Sequence, residues 1–333
     1  MTFLNISRWA ASLCVATVLL AGCGGSQLST GARPTTLQAS RLDSVPLLSR
    51  HLARGNNQVQ YVTGAYPDSL AEFDYPNGDS QLHLARHIGH TTCCGACTIG
   101  SETFWVVEEH SDAIAEFAAS RLKIGKPIKT LTVPVGTSPY AEPWDCSVDR
   151  TSGNLEVSVI GTSTVVIFKN GSGPGQVLSD NMDGTGWSAY DSQGDLFVQG
   201  SLSGNPALVE LAQGQNQFQQ ISLPSVVTAS GGPGCCTIRW DGTDLAWASA
   251  SGATVYRLSI SGNQASVVGT MNLENVGADG CAWFWVWTEA AALFCGTSGR
   301  YVNVYDYPQG GSPIAMLGPM TLGEPVGVVS LRP

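Results

Sequence analysis

Between residues 83 and 97 the chain gathers imidazoles and thiols: His83, His87, His90, Cys93, Cys94 and Cys97. Imidazole and thiolate are the donors that zinc or copper selects, so these side chains in one short stretch have the composition of a soft-metal site. The same thiols have a competing use. Cys146, Cys235, Cys236, Cys281 and Cys295 bring the number in this part of the chain to eight, and an even number in an exported domain reads first as disulfides. Disulfides are the favoured reading, because the histidines fall on one strand and its following loop while the cysteines open the next strand and have others to pair with. Cys281 and Cys295 flank a hairpin through Thr288-Glu289 and form the preferred bridge. Cys93 or Cys94 is directed to Cys97 or Cys146 without a choice between them, and Cys235 and Cys236 are left unassigned. Cys94-Gly95-Ala96-Cys97 is followed by Thr98, so it lacks the histidine of a haem attachment sequence. No βαβ pattern surrounds it to make a redox dithiol.

A second concentration is aromatic. Trp283-Phe284-Trp285-Val286-Trp287 on a strand places Trp283, Trp285 and Trp287 on one face and Phe284 with Val286 on the other. Packing between neighbouring repeats accounts for such a stripe. Its functional alternative is an aromatic platform for a sugar ring or a peptide, which Trp144 and Trp187 would join. Signatures of enzymes are missing: the sequence has no G-x-S-x-G elbow, no H-E-x-x-H, no phosphate-binding loop and no calcium-binding EF loop.

The elements that must position these residues begin with an exported leader. Arg8 precedes an apolar run from Trp9 to Ala21, too short for a comfortable spanning helix and suited to a signal-peptide core. It ends in Leu20-Ala21-Gly22-Cys23, which resembles the lipobox of bacterial lipoproteins. That resemblance implies removal of residues 1–22, acylation of Cys23 and a lasting membrane anchor, since each buried methylene contributes about 0.8 kcal/mol. Residues 23–57, rich in Ser, Thr, Gly, Gln and Pro, read as a flexible tether.

Residues 58–333 repeat themselves. A short apolar strand followed by a turn recurs six times, anchored at Phe73, Phe117, Phe168, Leu211, Leu258 and Tyr305, at steps of 44, 51, 43, 47 and 47 residues. A period of about 46 is the length of one four-stranded blade. The third copy divides most clearly, into 144–149, 155–160, 164–169 and 175–179. The first copy starts with a second-type strand, 58–63, and lacks an inner one; Glu324-Pro325-Val326-Gly327 is similar to Glu142-Pro143-Trp144-Asp145 and supplies it from the far end, closing a ring. The domain therefore resembles six-bladed β-propellers of the NHL-repeat and gluconolactonase-like kind, an all-β fold of four-stranded antiparallel blades closed by the C-terminal strand. A seven-bladed ring or a pair of sandwiches is the alternative. The glycines (39), prolines (17) and the low share of charged residues (13%) fit many short strands joined by turns.

The resemblance to gluconolactonase-like propellers implies one more chemistry. Asp145, Asp149, Asp191, Asp241, Asp244 and Asp279 sit near inner-strand ends and could surround a cation such as calcium, although Asp in such positions more often caps turns. A net charge of −10 argues against a phosphate-tracking surface, so no nucleic-acid partner is expected. The reading is an envelope lipoprotein that binds a protein, peptide or glycan without catalysis and without a cofactor. The alternative is a metal-dependent hydrolase or lactonase using calcium or zinc in the propeller channel.

Overall fold

A computed structural model describes residues 58–65, 69–75, 81–86, 95–98, 102–108, 111–118, 127–229, 237–277, 280–281, 283–287, 291–296, 301–318 and 324–331. The expected leader 1–22, Cys23 and the tether 23–57 lie outside them.

The strands are short, apolar and ended by turns, as the composition dictates. In chain order they are β1 (Gln58–Ala65), β2 (Ser69–Tyr75) and β3 (Gln81–Arg86); β4 (Ala96–Cys97), β5 (Thr103–Glu108), β6 (Ala113–Ala118) and β7 (Lys129–Thr132); β8 (Glu142–Val148), β9 (Leu155–Ile160), β10 (Thr164–Phe168) and β11 (Gln176–Ser179); β12 (Gly184–Tyr190), β13 (Leu196–Leu202), β14 (Asn205–Leu211) and β15 (Gln219–Ile221); β16 (Ile238–Trp240), β17 (Leu245–Ala248), β18 (Thr254–Ser261) and β19 (Gln264–Asn272); and β20 (Phe284–Trp287), β21 (Ala292–Gly296), β22 (Val302–Asp306), β23 (Ala315–Leu317) and β24 (Glu324–Leu331). They pair into four-stranded sheets in the orders β24-β1-β2-β3, β4-β5-β6-β7, β8-β9-β10-β11, β12-β13-β14-β15, β16-β17-β18-β19 and β20-β21-β22-β23. Each sheet is one antiparallel blade, numbered here first to sixth in that order. A short helix, α1 (Ser225–Ala229), follows the fourth.

The last strand of the chain completes the first blade. β24 runs antiparallel to β1 from Val59↔Leu331 to Ala65↔Glu324, while β2 pairs with β1 on its other side. The innermost strands touch in sequence around a closed circuit: β24 with β4, β4 with β8, β8 with β12, β12 with β16, β16 with β20, and β20 with β24.

In the blades whose burial is described, the middle strands are more buried than the outer ones, which explains why strict alternation is weak in the sequence. β17 and β21 are buried along their whole length, because each strand lies between two neighbouring blades and hides both faces. The outer β11 is almost wholly exposed or half-buried. The apolar seams follow: one joins Trp187, Phe197, Trp247, Phe284, Leu293 and Tyr305 across the fourth to sixth blades, and another joins Trp105, Val107, Leu155, Val157 and Phe168 across the second and third.

Local backbone chemistry sets the ends. β8 begins at Glu142, two residues before the expected Trp144, and a register shift between Pro143 and Asp145 accommodates a proline that cannot donate to the ladder. It stops before Asp149 because that side chain turns back onto the amide of Thr151 (2.8 Å). After β10 the chain reverses through Asn170 and Gly171, at φ 49° and 54°, the left-handed region that Asn tolerates and Gly adopts freely. Gly161 has no substitute: φ is +73°, and a Cβ there would stand 2.1 Å from the carbonyl oxygen of Tyr140.

Candidate functional site

The innermost strands of four consecutive blades deliver their polar and aromatic side chains to one place. Asp145 comes from β8, Trp187 and Ser188 from β12, Arg239 from β16 and Trp285 from β20. The Arg239 guanidinium meets Asp145 side-on: Nη1 donates to Oδ2 at 2.7 Å and Nη2 to Oδ1 at 3.0 Å. Nη1 also lies within donor range of the carbonyl oxygens of Ser188 (3.1 Å) and Ile238 (2.9 Å). The pair is largely withdrawn from water, with Asp145 fully buried and Arg239 8% exposed. A bidentate, desolvated arrangement of this kind is among the stronger charge-assisted contacts.

The guanidinium also lies against indoles. Its carbon is 4.5 Å from the Trp285 ring centroid and 5.5 Å from that of Trp187, within reach of a cation–π attraction. Trp144 stands edge-on to Trp187 at 5.8 Å. Trp144, Trp283 and Trp285 are half-buried, whereas Trp187 is fully buried.

Beneath the ion pair lies a second carboxyl. Glu156 projects from β9, fully buried; the Ser158 hydroxyl donates to its Oε1 at 2.8 Å and the Ser188 hydroxyl donates to its Oε2. Burial pushes the Glu156 carboxyl up to about 8, against the lowering effect of the two serine donors, with the negative charge of Asp145 adding to the rise and Arg239 opposing it. At neutral pH this group is largely protonated. Ser188 is the joint of the cluster, because its backbone N–H also donates to Asp145 Oδ2 at 3.0 Å.

The other acidic candidates do not converge with Asp145. Asp149 accepts from the Thr151 hydroxyl (2.7 Å) and amide, and from Ser152; burial opposes its ionisation, but these donors prevail and hold it below the ordinary carboxylate range. Asp191 caps its turn through the amides of Gln193 (2.7 Å) and Asp195 (2.9 Å). Asp241 and Asp244 hold Arg257, each at 2.7 Å, and Asp241 also accepts from the Tyr307 hydroxyl at 2.6 Å. Those donors outweigh burial and keep Asp241 low. Each of these carboxylates is thus occupied by a turn or an ion pair, and Asp279 lies outside the described residues. Among the described residues no group of three or more His, Cys, Asp or Glu side chains is placed to hold a metal ion.

The cysteines sort by blade. Cys281 bonds Cys295 within the sixth, with Cα atoms 5.3 Å apart; Cys295 lies on β21, while Cys281 precedes β20 instead of standing on it. Cys97 bonds Cys146, Cα to Cα 5.8 Å, tying β4 to β8 between the second and third blades, so neither takes Cys93 or Cys94 as the partner the sequence suggested. Cys97 is thereby withdrawn from the soft-metal alternative, and its thiol takes the disulfide that was the favoured reading. Cys93, Cys94, Cys235, Cys236, His87, His90 and the side chains of His83 and Trp287 lie outside the described residues.

Sequence reasoning placed Trp144, Trp187, Trp283 and Trp285 near one another and singled out Asp145, but missed Arg239, Ser188 and Glu156. A usable signal existed. Lysine and arginine together number only 16, so an arginine inside the inner strand Ile238-Arg239-Trp240 needs a buried counter-charge, and Asp145 is the acid in the middle of another inner strand.

No protein-family model matches the sequence, and no curated protein is similar to it in sequence. Solved structures share its fold. A chain of a nidogen/laminin complex superposes with a TM-score of 0.61 at 11% identity, over 83% of this chain and 98% of that one. A Bacteroides caccae protein of unknown function gives 0.59 at 12%, over 84% and 100%, and a candidate 6-phosphogluconolactonase from Bacteroides fragilis gives 0.53 at 12%, over 83% and 99%. At such identities the likeness concerns the fold alone. The protein is an all-β propeller of four-stranded antiparallel blades.

Proposed function

We propose that this chain is an exported lipoprotein, anchored through an acylated Cys23, whose six blades form one ring that binds a protein, peptide or glycan without catalysis. The observation that carries the binding reading is the cluster of Trp144, Trp187, Trp285 and Arg239. It offers half-buried aromatic surface from two inner strands, Trp144 on β8 and Trp285 on β20, with Trp187 buried behind them, and its one cation is already neutralised by Asp145. Aromatic surface of that kind suits recognition more than bond breaking, since the nearby Ser188 hydroxyl is buried and committed to Glu156. The rival is a lactonase, motivated by the likeness to the candidate 6-phosphogluconolactonase and by the family resemblance of the repeats.

Two experiments test the anchor and the choice between module and enzyme. Full-length protein expressed in a bacterial host is expected in the membrane fraction, with the Cys23→Ser variant released from it; equal partitioning of both removes the anchor. Purified protein is then offered to glycan and peptide arrays and, in parallel, to 6-phosphogluconolactone with calcium or zinc. Array ligands whose binding falls at least tenfold in Trp285→Ala support the module, whereas metal-dependent lactone hydrolysis replaces it with the enzyme.

A further inference from the structure

The Arg239–Trp285 stack rests on a cluster with two carboxyl groups and one cation. Glu156 and Asp145 are both fully buried, and Ser158 and Ser188 around them are 0% and 1% exposed, so neither water nor a solvent ion offsets a second negative charge. Ser188 couples the two: its hydroxyl serves Glu156, its N–H serves Asp145 and its carbonyl accepts from Arg239. The groups facing Glu156 can be taken strand by strand. β8 contributes Asp145 and, across the ladder, Ser147; β10 contributes Ile167 as its ladder partner. β9 itself adds Ser158; β12 adds Ser188 and Tyr190, a phenol that burial keeps neutral; β16 adds Arg239. Arg239 is the sole cation in that set.

While Glu156 holds its proton, one guanidinium balances one carboxylate, and Arg239 is free to lie over Trp285. When the proton leaves, two carboxylates compete for the same guanidinium in a medium of low dielectric, where such attractions are several-fold stronger than in water. We infer that Glu156 is a proton-operated latch, and that its ionisation draws Arg239 off Trp285 and so changes the aromatic surface of the cluster. The inference rests on the reading of that cluster as the binding site, which it supplies with a control.

The latch is tested without any ligand, so its failure is distinguishable from failure of the binding reading. Indole fluorescence of the full-length protein is followed from pH 5 to pH 10, with far-UV circular dichroism alongside. The expected result is an emission change with a midpoint within about one unit of 8, absent in Glu156→Gln and lost or much reduced in Trp285→Phe, with the dichroism unchanged. A transition that persists in Glu156→Gln, or one that survives Trp285→Phe undiminished, overturns the latch. So does an emission change that coincides with loss of β-sheet signal, which would mean melting. Asp145→Asn supplies a further reading in the direction of the charge: with one acid fewer, the midpoint moves acidward, and an alkaline shift contradicts the inference. The binding module fails separately, if no array ligand depends on Trp285.

Discussion

Replacing Arg239 by Met leaves Asp145 with no counter-charge in a site that water does not reach. Breaking a buried pair from one side costs about 3–5 kcal/mol, because the surviving charge stays desolvated, and loss of the guanidinium from the Trp285 and Trp187 faces adds about 0.5–2 kcal/mol. Set against a typical net stability of about 5–15 kcal/mol, the variant should lose a large part of its folding free energy. Asp145→Leu strands Arg239 in the same way. The double variant carries neither charge and should recover most of the loss, since apolar side chains of similar volume replace buried pairs at little or no net cost. It does not recover all of it. The Ser188 amide, which donates to Asp145 at 3.0 Å, has no acceptor in the double variant, and an unsatisfied buried donor costs about 1–3 kcal/mol. Urea denaturation of the four proteins at one pH, compared through midpoints at constant slope, reads this pattern directly. An Arg239→Met protein within about 1 kcal/mol of the parent, or a double variant less stable than either single one, refutes the account of the cluster as a buried and mutually dependent pair.

Glu156→Gln should flatten the pH dependence of stability. The carboxyl titrates higher in the folded protein, about 8, than its ordinary value of 4.5, so its favourable contribution is intact below about 4.5 and is lost as pH rises to about 8, at roughly 1.4 kcal/mol per unit; thermal midpoints from pH 5 to 9 that fall equally in parent and variant contradict this. Removing the Cys281–Cys295 bridge, which spans 14 residues, should cost about 3 kcal/mol, and removing Cys97–Cys146, which spans 49, about 4 kcal/mol; paired alanine variants in urea test the ranking, and the reverse order counts against it. Tyr307→Phe deletes the donor to the Asp241 carboxylate, a charge-assisted contact worth about 1.5–3 kcal/mol, and should raise the pKa of Asp241, which carbon-13 chemical shifts of its carboxyl would report; an unmoved titration shows that Arg257 and the turn amides hold that carboxylate unaided.

Strand positions were legible because turns punctuate the chain and because one copy of the repeat reads onto the next. β9 coincides with the expected 155–160, and the similarity of Glu324-Pro325-Val326 to Glu142-Pro143-Trp144 foretold that β24 pairs with β1. Contacts between blades were less legible, because they join residues with no fixed spacing. Cys281 and Cys295 lie within one blade, so the hairpin between them gives the pair away. Cys97 and Cys146 meet only because two successive inner strands lie side by side, and the local pattern they share, Cys97-Thr98-Ile99 and Cys146-Ser147-Val148, recurs at Cys236-Thr237-Ile238 and so does not select the pair. Asp145 was noticed as an acid near a strand end, the same description that fits Asp149 and Asp191, which serve their own turns. Its different role comes from Arg239, which lies 94 residues away. The indole stripe was visible as alternation, yet the cation lying on Trp285 comes from a neighbouring blade and leaves no periodic trace.

The register that brings Val59 beside Leu331 also imposes an order in time. Five of the blades are built from contiguous stretches and can form as the chain emerges, but β1, β2 and β3 remain an incomplete sheet until β24 arrives. Until then β1 has an open edge, and β4 and β20 lack the strand that stands between them. Neither described disulfide crosses that gap, and the β1–β24 ladder closes it with backbone hydrogen bonds at the last step of assembly. Lesions in 324–331 should therefore act late, yielding a chain with most of its blades formed and an exposed strand ready to pair with the wrong partner.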